Sequence, residues 1–425
     1  MHLVLLRGSP SDVRGLRTGG VLACAALTLG CCVGDRYAPG GPAGQVVDRV
    51  RDQARAGLAE AVETALGPAT VAPTTTTTAP PPRSFTLVAA GDVLLHSQLW
   101  RQAEADAAAE GRPGYDFGPL LSGVAPTVSA ADLAICHLET PVAPAGGPYS
   151  SYPSFSVPSE IAPALAATGF DACTTASNHT YDRGADGIDR TLAALDAAGV
   201  AHAGSARSPV EAGTTTLLHA RGATVALLSY AYGFNGIPAP NGEGWRSNPI
   251  DEGRILADAA TARRRGADVV VVALHWGTEY QHEPNDQQLA LAPRLIGSPD
   301  IDLLLGHHAH VVQPVESIGG EWVVYGMGNM VAYQGSLGPT REEGLLVRFT
   351  FTEAPTGWRV SAAEFDPLLT FRGRDPVRLV EVGRLLADPA TDAALRQRLQ
   401  EAWDRTSVIV AERGATAAGL QPLAA

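Results

Sequence analysis

Short apolar runs separated by polar turns recur through the middle of the chain. Residues 84–90 (SFTLVAA), 131–136 (ADLAIC), 170–175 (FDACTT), 267–274 (ADVVVVAL) and 301–305 (IDLLL) have strand length and are almost wholly apolar. Such runs read as strands buried on both faces of a sheet. Between them, residues 98–110, 160–168, 186–198, 255–266 and 288–296 carry helical periodicity. Segments 214–219 with 223–229, and 345–351 with 358–365, read as antiparallel pairs, and 322–325 as one more strand. Strand, polar turn and helix in repetition predict an α/β fold. Residues 378–403 read as largely helical, giving a C-terminal helical extension over 373–425 that follows a domain at 83–372.

The first 82 residues are of another kind. Arg7, Arg14 and Arg17 precede a short apolar run at 19–34 (GGVLACAALTLGCCVG). The run is short for a membrane span, which needs ~20 apolar residues, and reads as an export signal. Cys31 and Cys32 at its end give it a lipoprotein-like look; a plain signal peptide and an uncleaved membrane anchor are the alternatives. Residues 45–66 carry an apolar helical stripe, and 73–82 (PTTTTTAPPP) form an extended spacer with too little apolar content for a core. An exported, surface-tethered domain is the expectation. Cys136 and Cys173 remain in the body, as buried hydrophobes or as one disulfide.

Composition bounds the partners. The net charge of −13 is scattered, and no basic block lies near the candidate site, which argues against nucleic acid.

The polar residues that leave the apolar runs carry the chemistry. They are Asp92, then Glu139, then Asn178 with His179, then His275, then His308 and His310 within the run His307-His308-Ala309-His310. Ligand sites of open α/β sheets lie beyond the carboxyl ends of their strands. On an extended backbone His308 and His310 would point to the same side. Two carboxylates, one amide oxygen and three imidazoles suit two divalent ions such as Mn, Fe or Zn. Two such ions would orient a shared water, lower its pKa and neutralise charge developing on a phosphoryl oxygen. His179, beside a proposed ligand but not itself one, is the candidate proton donor. Glu279 has a possible role behind a metal-bound histidine, and Arg183 and Arg341 as anion clamps; surface positions are the simpler reading of all three.

Gly91-Asp92, Leu138-Glu139-Thr140-Pro141, Ser177-Asn178-His179 with Asp182 and Gly184, His275-Trp276-Gly277-Thr278-Glu279-Tyr280, His308-Ala309-His310-Val311 with Gln313-Pro314, and Gly328-Asn329 follow in order. This series resembles the CapA family, bacterial capsule or poly-γ-glutamate synthesis proteins of the calcineurin-like metallophosphoesterase superfamily. The resemblance implies a four-layer α/β/β/α sandwich. It implies Asp92, Glu139, Asn178, His275, His308 and His310 as metal ligands, with Glu139 bridging, and His179 as proton donor. Two departures stand out. Leu94 replaces the histidine usual two residues after the first aspartate, with His96 two positions further on. His137 stands where the family commonly has asparagine, as an extra ligand, a donor behind the ligands or a pocket wall, of which the second suits it best. The implied function is hydrolysis of a phosphoester by metal-activated water in the making of an anionic surface polymer, beside a membrane-bound polymer synthase. Metal-assisted binding or export of the polymer without catalysis, and amide hydrolysis, are the alternatives.

Overall fold

A computed structural model describes residues 82–334, 338–372 and 376–424, together with Gln53. Apart from Gln53 and Pro82, the signal-like segment, the amphipathic stripe and the Thr/Pro spacer lie outside the described residues.

Two sheets carry the fold. The larger runs β14 (Arg378–Glu381), β13 (Gly357–Phe371), β12 (Glu343–Ala354), β1 (Ser84–Leu94), β2 (Leu133–Leu138), β3 (Ala172–Thr174) and β4 (Ala201–Ala203). In it β11 (Asn329–Ala332) pairs with β1, and β15 (Leu420–Pro422) with β13. The smaller runs β5 (Thr216–Ala220), β6 (Ala223–Ala231), β7 (Val269–His275), β8 (Leu303–His307), β10 (Glu321–Val324) and β9 (Val315–Ile318). β1 to β4 are mutually parallel, as are β6, β7, β8 and β10.

The alternation of side chains along each strand explains the layers. On β7, Val269, Val271 and Ala273 enter the core between the sheets, whereas Val270, Val272 and Leu274 pack under the helices Glu252–Arg264 and Asp286–Ile296. On β1, Phe85, Leu87 and Ala89 face the same inter-sheet core, and Val88 and Ala90 face a second outer core with the helices Ser97–Ala109, Ile161–Thr168 and Gly184–Ala198. Helix, sheet, sheet, helix is the four-layer sandwich that the motif series implied. Each fully buried valine or leucine contributes roughly 1.5–3 kcal/mol by leaving water, so apolar runs with two buried faces anchor the centre of the molecule.

The C-terminal segment is more than a helical extension. β14 and β15 both hydrogen-bond to β13, and the helix Ala393–Ala411 packs beside them, so residues 376–424 complete the larger sheet. Four-residue and three-residue strands are too short for their alternation to stand out from a helical neighbourhood. Cys136 and Cys173 form a disulfide that joins β2 to β3 one residue before His137 and Thr174.

Candidate metal centre

Two glycines let the strand ends converge. A Cβ on Gly91 would lie 2.2 Å from the Gly328 carbonyl oxygen, and one on Gly306 would lie 1.8 Å from that of Tyr325. Asp92 and His307 follow directly. β1 also shifts register against β11 between Asp92 and Val93, a bulge that re-aims the aspartate. The carboxyl ends of β1, β2, β7 and β8 therefore meet in one crevice.

The histidine run turns there. β8 extends through His307, and His308 (φ 87°) and His310 (φ 55°) then take left-handed backbone conformations. Strand alternation thus does not align these two, contrary to the sequence-based expectation; a tight turn does. Just beyond the turn, the Gln313 side chain anchors the chain by donating to the Gln281 carbonyl and accepting from Gln288 at 2.7 Å.

Asp92 is fully buried. Its Oδ1 accepts from His307 Nδ1 at 2.7 Å, and its Oδ2 accepts the His308 backbone N–H at 3.1 Å and lies 3.2 Å from His310 Nδ1. Burial alone would raise its pKa, but the bonds from His307 and His310 outweigh burial and hold the carboxyl well below its ordinary range. Glu139 is the opposite case. Both carboxylate oxygens are buried with no hydrogen-bond partner. The nearest imidazoles are His310 Nε2 at 3.7 Å and His275 Nε2 at 3.9 Å from Oε1. Burial first, and then the Asp92 charge, push Glu139 well above the usual range, against the pull of His310. His310 is driven down by burial but raised to about 9 by Glu139 and Asp92.

His275 heads a relay. Its Nε2 lies 3.0 Å from Asn178 Oδ1, its Nδ1 lies 3.0 Å from His137 Nε2, and His137 Nδ1 lies 2.8 Å from Thr174 Oγ1. Run one way, the relay has His275 donating to Asn178. Run the other way, His275 Nδ1 donates to His137, His137 to Thr174, and Thr174 to the Cys136 carbonyl at 3.4 Å. The second direction turns the Nε2 lone pair towards the Asn178 and Glu139 oxygens, as a cation ligand must. Burial, then neighbouring imidazole charge, keeps His137 and His275 neutral. Burial likewise lowers His308 to about 3, and its Nδ1 is buried without a partner.

Three sets of ligand atoms lie within 4.8 Å of one another: Asp92, Glu139 and His310; Asp92, His137 and His307; and Glu279, His308 and His310. The crevice thus gathers Asp92, Glu139, Asn178, His275, His308 and His310. The donor set fits divalent cations, because Glu139 and His308 offer buried lone pairs that the protein leaves unsatisfied. Asn329 accepts from His310 Nδ1 at 3.0 Å and so fixes that ring, leaving Nε2 towards Glu139. Glu279 belongs to the rim.

His96 joins none of the three sets. It accepts the Tyr333 N–H at 3.2 Å and packs edge-on against Phe155, and burial lowers it to about 4. Leu94, two residues after Asp92, is buried in the outer core.

His179 stands beside the ligands. Its Nδ1 donates to Asp182 Oδ2 at 2.8 Å, and that oxygen also accepts the Phe155 N–H at 2.7 Å. Nε2 makes no hydrogen bond among the described residues. Arg183 is engaged elsewhere, bonding Ser150, Ser154 and the Asp182 carbonyl. Trp276 is core, with its indole N–H on the Tyr325 carbonyl at 2.9 Å.

Some residues of the site were not assigned from sequence. His307 orients Asp92, and the Gly306-His307 step after a buried strand was its available signal. Thr174 ends the relay from within an apolar run. Tyr232, whose ring lies 4.4 Å from that of His308, and Asn235, which accepts from Asn178 at 3.2 Å, come from the loop after β6, and no motif marks them.

The family model described as "Bacterial capsule synthesis protein PGA_cap" matches residues 86–334. The PGA biosynthesis protein CapA of Bacillus subtilis is 32% identical over 173 residues, 39% of this chain and 43% of that protein. A probable polyglutamine synthesis accessory protein of Mycobacterium tuberculosis is 29% identical over 253 residues, 55% of this chain and 65% of that one. The matches thus span less than two thirds of either relative. Among solved structures, the calcineurin-like phosphoesterase YfkN of Bacillus subtilis aligns with a TM-score of 0.43 at 13% identity, covering 77% of this chain and 98% of that one. With more than half of its length matched by the family model, the chain belongs to the PGA_cap family of bacterial capsule synthesis proteins.

Proposed function

We propose that this protein is a metal-dependent hydrolase acting on a phosphoester in the assembly of an anionic surface polymer. The observation that carries the reading is Glu139, a buried carboxylate with two bare oxygens between two histidine nitrogens. Leaving such a group unpaired costs several kcal/mol unless it is protonated or meets a cation. Asp92, Glu139 and His310 would hold one ion, and Glu139, Asn178, His275 and His308 a second. When bound, such ions would activate water and neutralise charge on the phosphoryl group.

The chain's own residues do the rest. Asp182 fixes His179 with its proton on Nδ1 and leaves Nε2 to carry the proton given to the leaving oxygen. His307 and the His308 backbone orient Asp92. His137 and Thr174 set the tautomer of His275. Tyr232 packs its ring against that of His308.

Export to the cell surface is part of the proposal. The basic-then-apolar start of the sequence supports it, and so does the Cys136–Cys173 disulfide, a bond that persists in oxidising compartments. Leu94 favours a second reading, in which the crevice binds polymer carboxylates through metal without cleaving. Turnover of 4-nitrophenyl phosphate by the manganese-loaded full chain decides between the two. The hydrolase reading expects activity that falls at least about 100-fold in both His179→Ala and His275→Ala. Metal binding without turnover would favour the second reading.

A further inference from the structure

We propose that Arg341 and Tyr280 form a subsite for a second oxyanion of the substrate, one group away from the bond at the metal ligands. The proposal rests on the hydrolase reading for its location and on separate side chains for its chemistry. The Arg341 guanidinium carbon sits 3.3 Å from the Tyr280 ring centroid, and that ring lies 6.0 Å from the His310 ring. One aromatic ring therefore separates a free cation from a metal ligand.

The placement is built. Asn329 accepts from His310 through Oδ1, and through Nδ2 it donates to the Arg341 carbonyl at 3.1 Å. A single amide thus ties the ligand and the arginine together. Tyr280 holds a left-handed backbone (φ 66°), rare for a bulky residue, and its N–H donates to the Ala309 carbonyl at 2.7 Å. That conformation keeps the ring on the rim, 36% exposed, beneath the guanidinium.

Arg341 has no carboxylate partner within ion-pair distance among the described residues, although one is adjacent in sequence. Glu342 is taken instead by Arg372 at 2.7 Å and by Arg398 at 3.4 Å. A guanidinium stacked on a ring keeps its N–H edge available, and that edge fits a carboxylate or phosphate through two parallel bonds. Glu279, next to Tyr280, groups with His308 and His310 and belongs to the cation side of the rim. The two anionic groups of a substrate would thus be separated, one at the cations and one on Arg341.

The test titrates the manganese-loaded full chain with tri-γ-glutamate and with inorganic tripolyphosphate, in wild type, Arg341→Gln and Arg341→Lys. Arg341→Gln should weaken binding roughly 10- to 100-fold, as loss of a charge-assisted pair predicts, with Arg341→Lys between the two. Metal content should not change. Turnover of 4-nitrophenyl phosphate, which has no second oxyanion, should fall by a smaller factor than probe binding. A loss confined to tri-γ-glutamate assigns the subsite to carboxylates, and one confined to tripolyphosphate assigns it to phosphates. Equal affinity of Arg341→Gln and wild type for both probes overturns the proposal, as does no binding by wild type. A matching loss of 4-nitrophenyl phosphate turnover also overturns it, since Arg341 would then support the centre itself. If wild type turns over no phosphoester yet Arg341→Gln still weakens binding, the hydrolase reading fails and the subsite stands.

Discussion

Glu139 and Glu343 are equally buried, at 1% and 3% exposure, and are handled in opposite ways. Glu343, at the start of β12, meets two arginines from the C-terminal helix. Arg398 donates to it at 2.9 Å, and Arg405 donates to both of its oxygens. Glu139, at the end of β2, meets none. Charge and hydrogen bonds satisfy the first inside the protein, so it ties a helix to a sheet. The second is held in place by its backbone, through N–H on the Val93 carbonyl and C=O on the Ser177 hydroxyl, while its side chain is left bare. A buried carboxylate left unsatisfied where strand ends converge points to a partner that is not part of the chain.

Substitution at each glutamate should break this contrast cleanly. Glu139→Gln should remove bound metal and lower phosphoester turnover by about 100-fold or more, while the chelator-treated protein melts no lower than wild type. Elemental analysis and thermal melts with and without chelator check both parts. A drop in metal-free stability would mean that Glu139 is structural.

Two stability effects of a few kcal/mol come next. Glu343→Gln should cost roughly 2–3 kcal/mol, below the full value for a broken buried pair because both arginines reach solvent. Its metal content should match wild type. Asp366 supplies the intermediate case. It is buried and accepts the Gly383 N–H at 2.8 Å, and burial pushes it up to about 7 against that bond. The fold thus favours its protonated form. The contribution is complete below about pH 4, where the unfolded carboxyl is also protonated, and is lost as pH rises towards 7. Denaturant melts should show stability falling across that window by at most about 1.4 kcal/mol per pH unit, and Asp366→Asn should flatten the slope.

Smaller effects test the surroundings of Glu139. His137→Ala removes the acceptor behind His275 and should weaken metal binding about 10- to 100-fold, with the fold retained. Competition with a metal-sensitive dye reads this directly. His96→Ala should leave metal affinity within about twofold, because that ring lies outside the ligand sets. A larger loss would place His96 among the metal ligands.

Most of the centre was legible in the sequence because strand ends are punctuated. Asp92, His275 and the histidine run each follow an apolar stretch, Glu139 follows one broken only by His137, and Gly91 and Gly306 mark close approaches of backbone. The conformation of His308 and His310 was not legible, since a left-handed turn needs tertiary contacts to hold non-glycine residues there. Thr174 was hidden because it continues an apolar strand, and only the neighbouring strand reveals its partner. Tyr232 and Asn235 arrive from a loop whose course is set by packing. β14 and β15 went unseen because strands this short take their order from the sheet they join.

The most direct test of the central claim is the metal content of the purified full chain beside that of Glu139→Gln, with melting temperature followed through chelation and manganese addition. The account predicts close to two divalent ions per chain in wild type, a lower melting temperature on chelation that manganese restores, and neither in the variant. Wild type without metal, melting alike in chelator and in manganese, would contradict it.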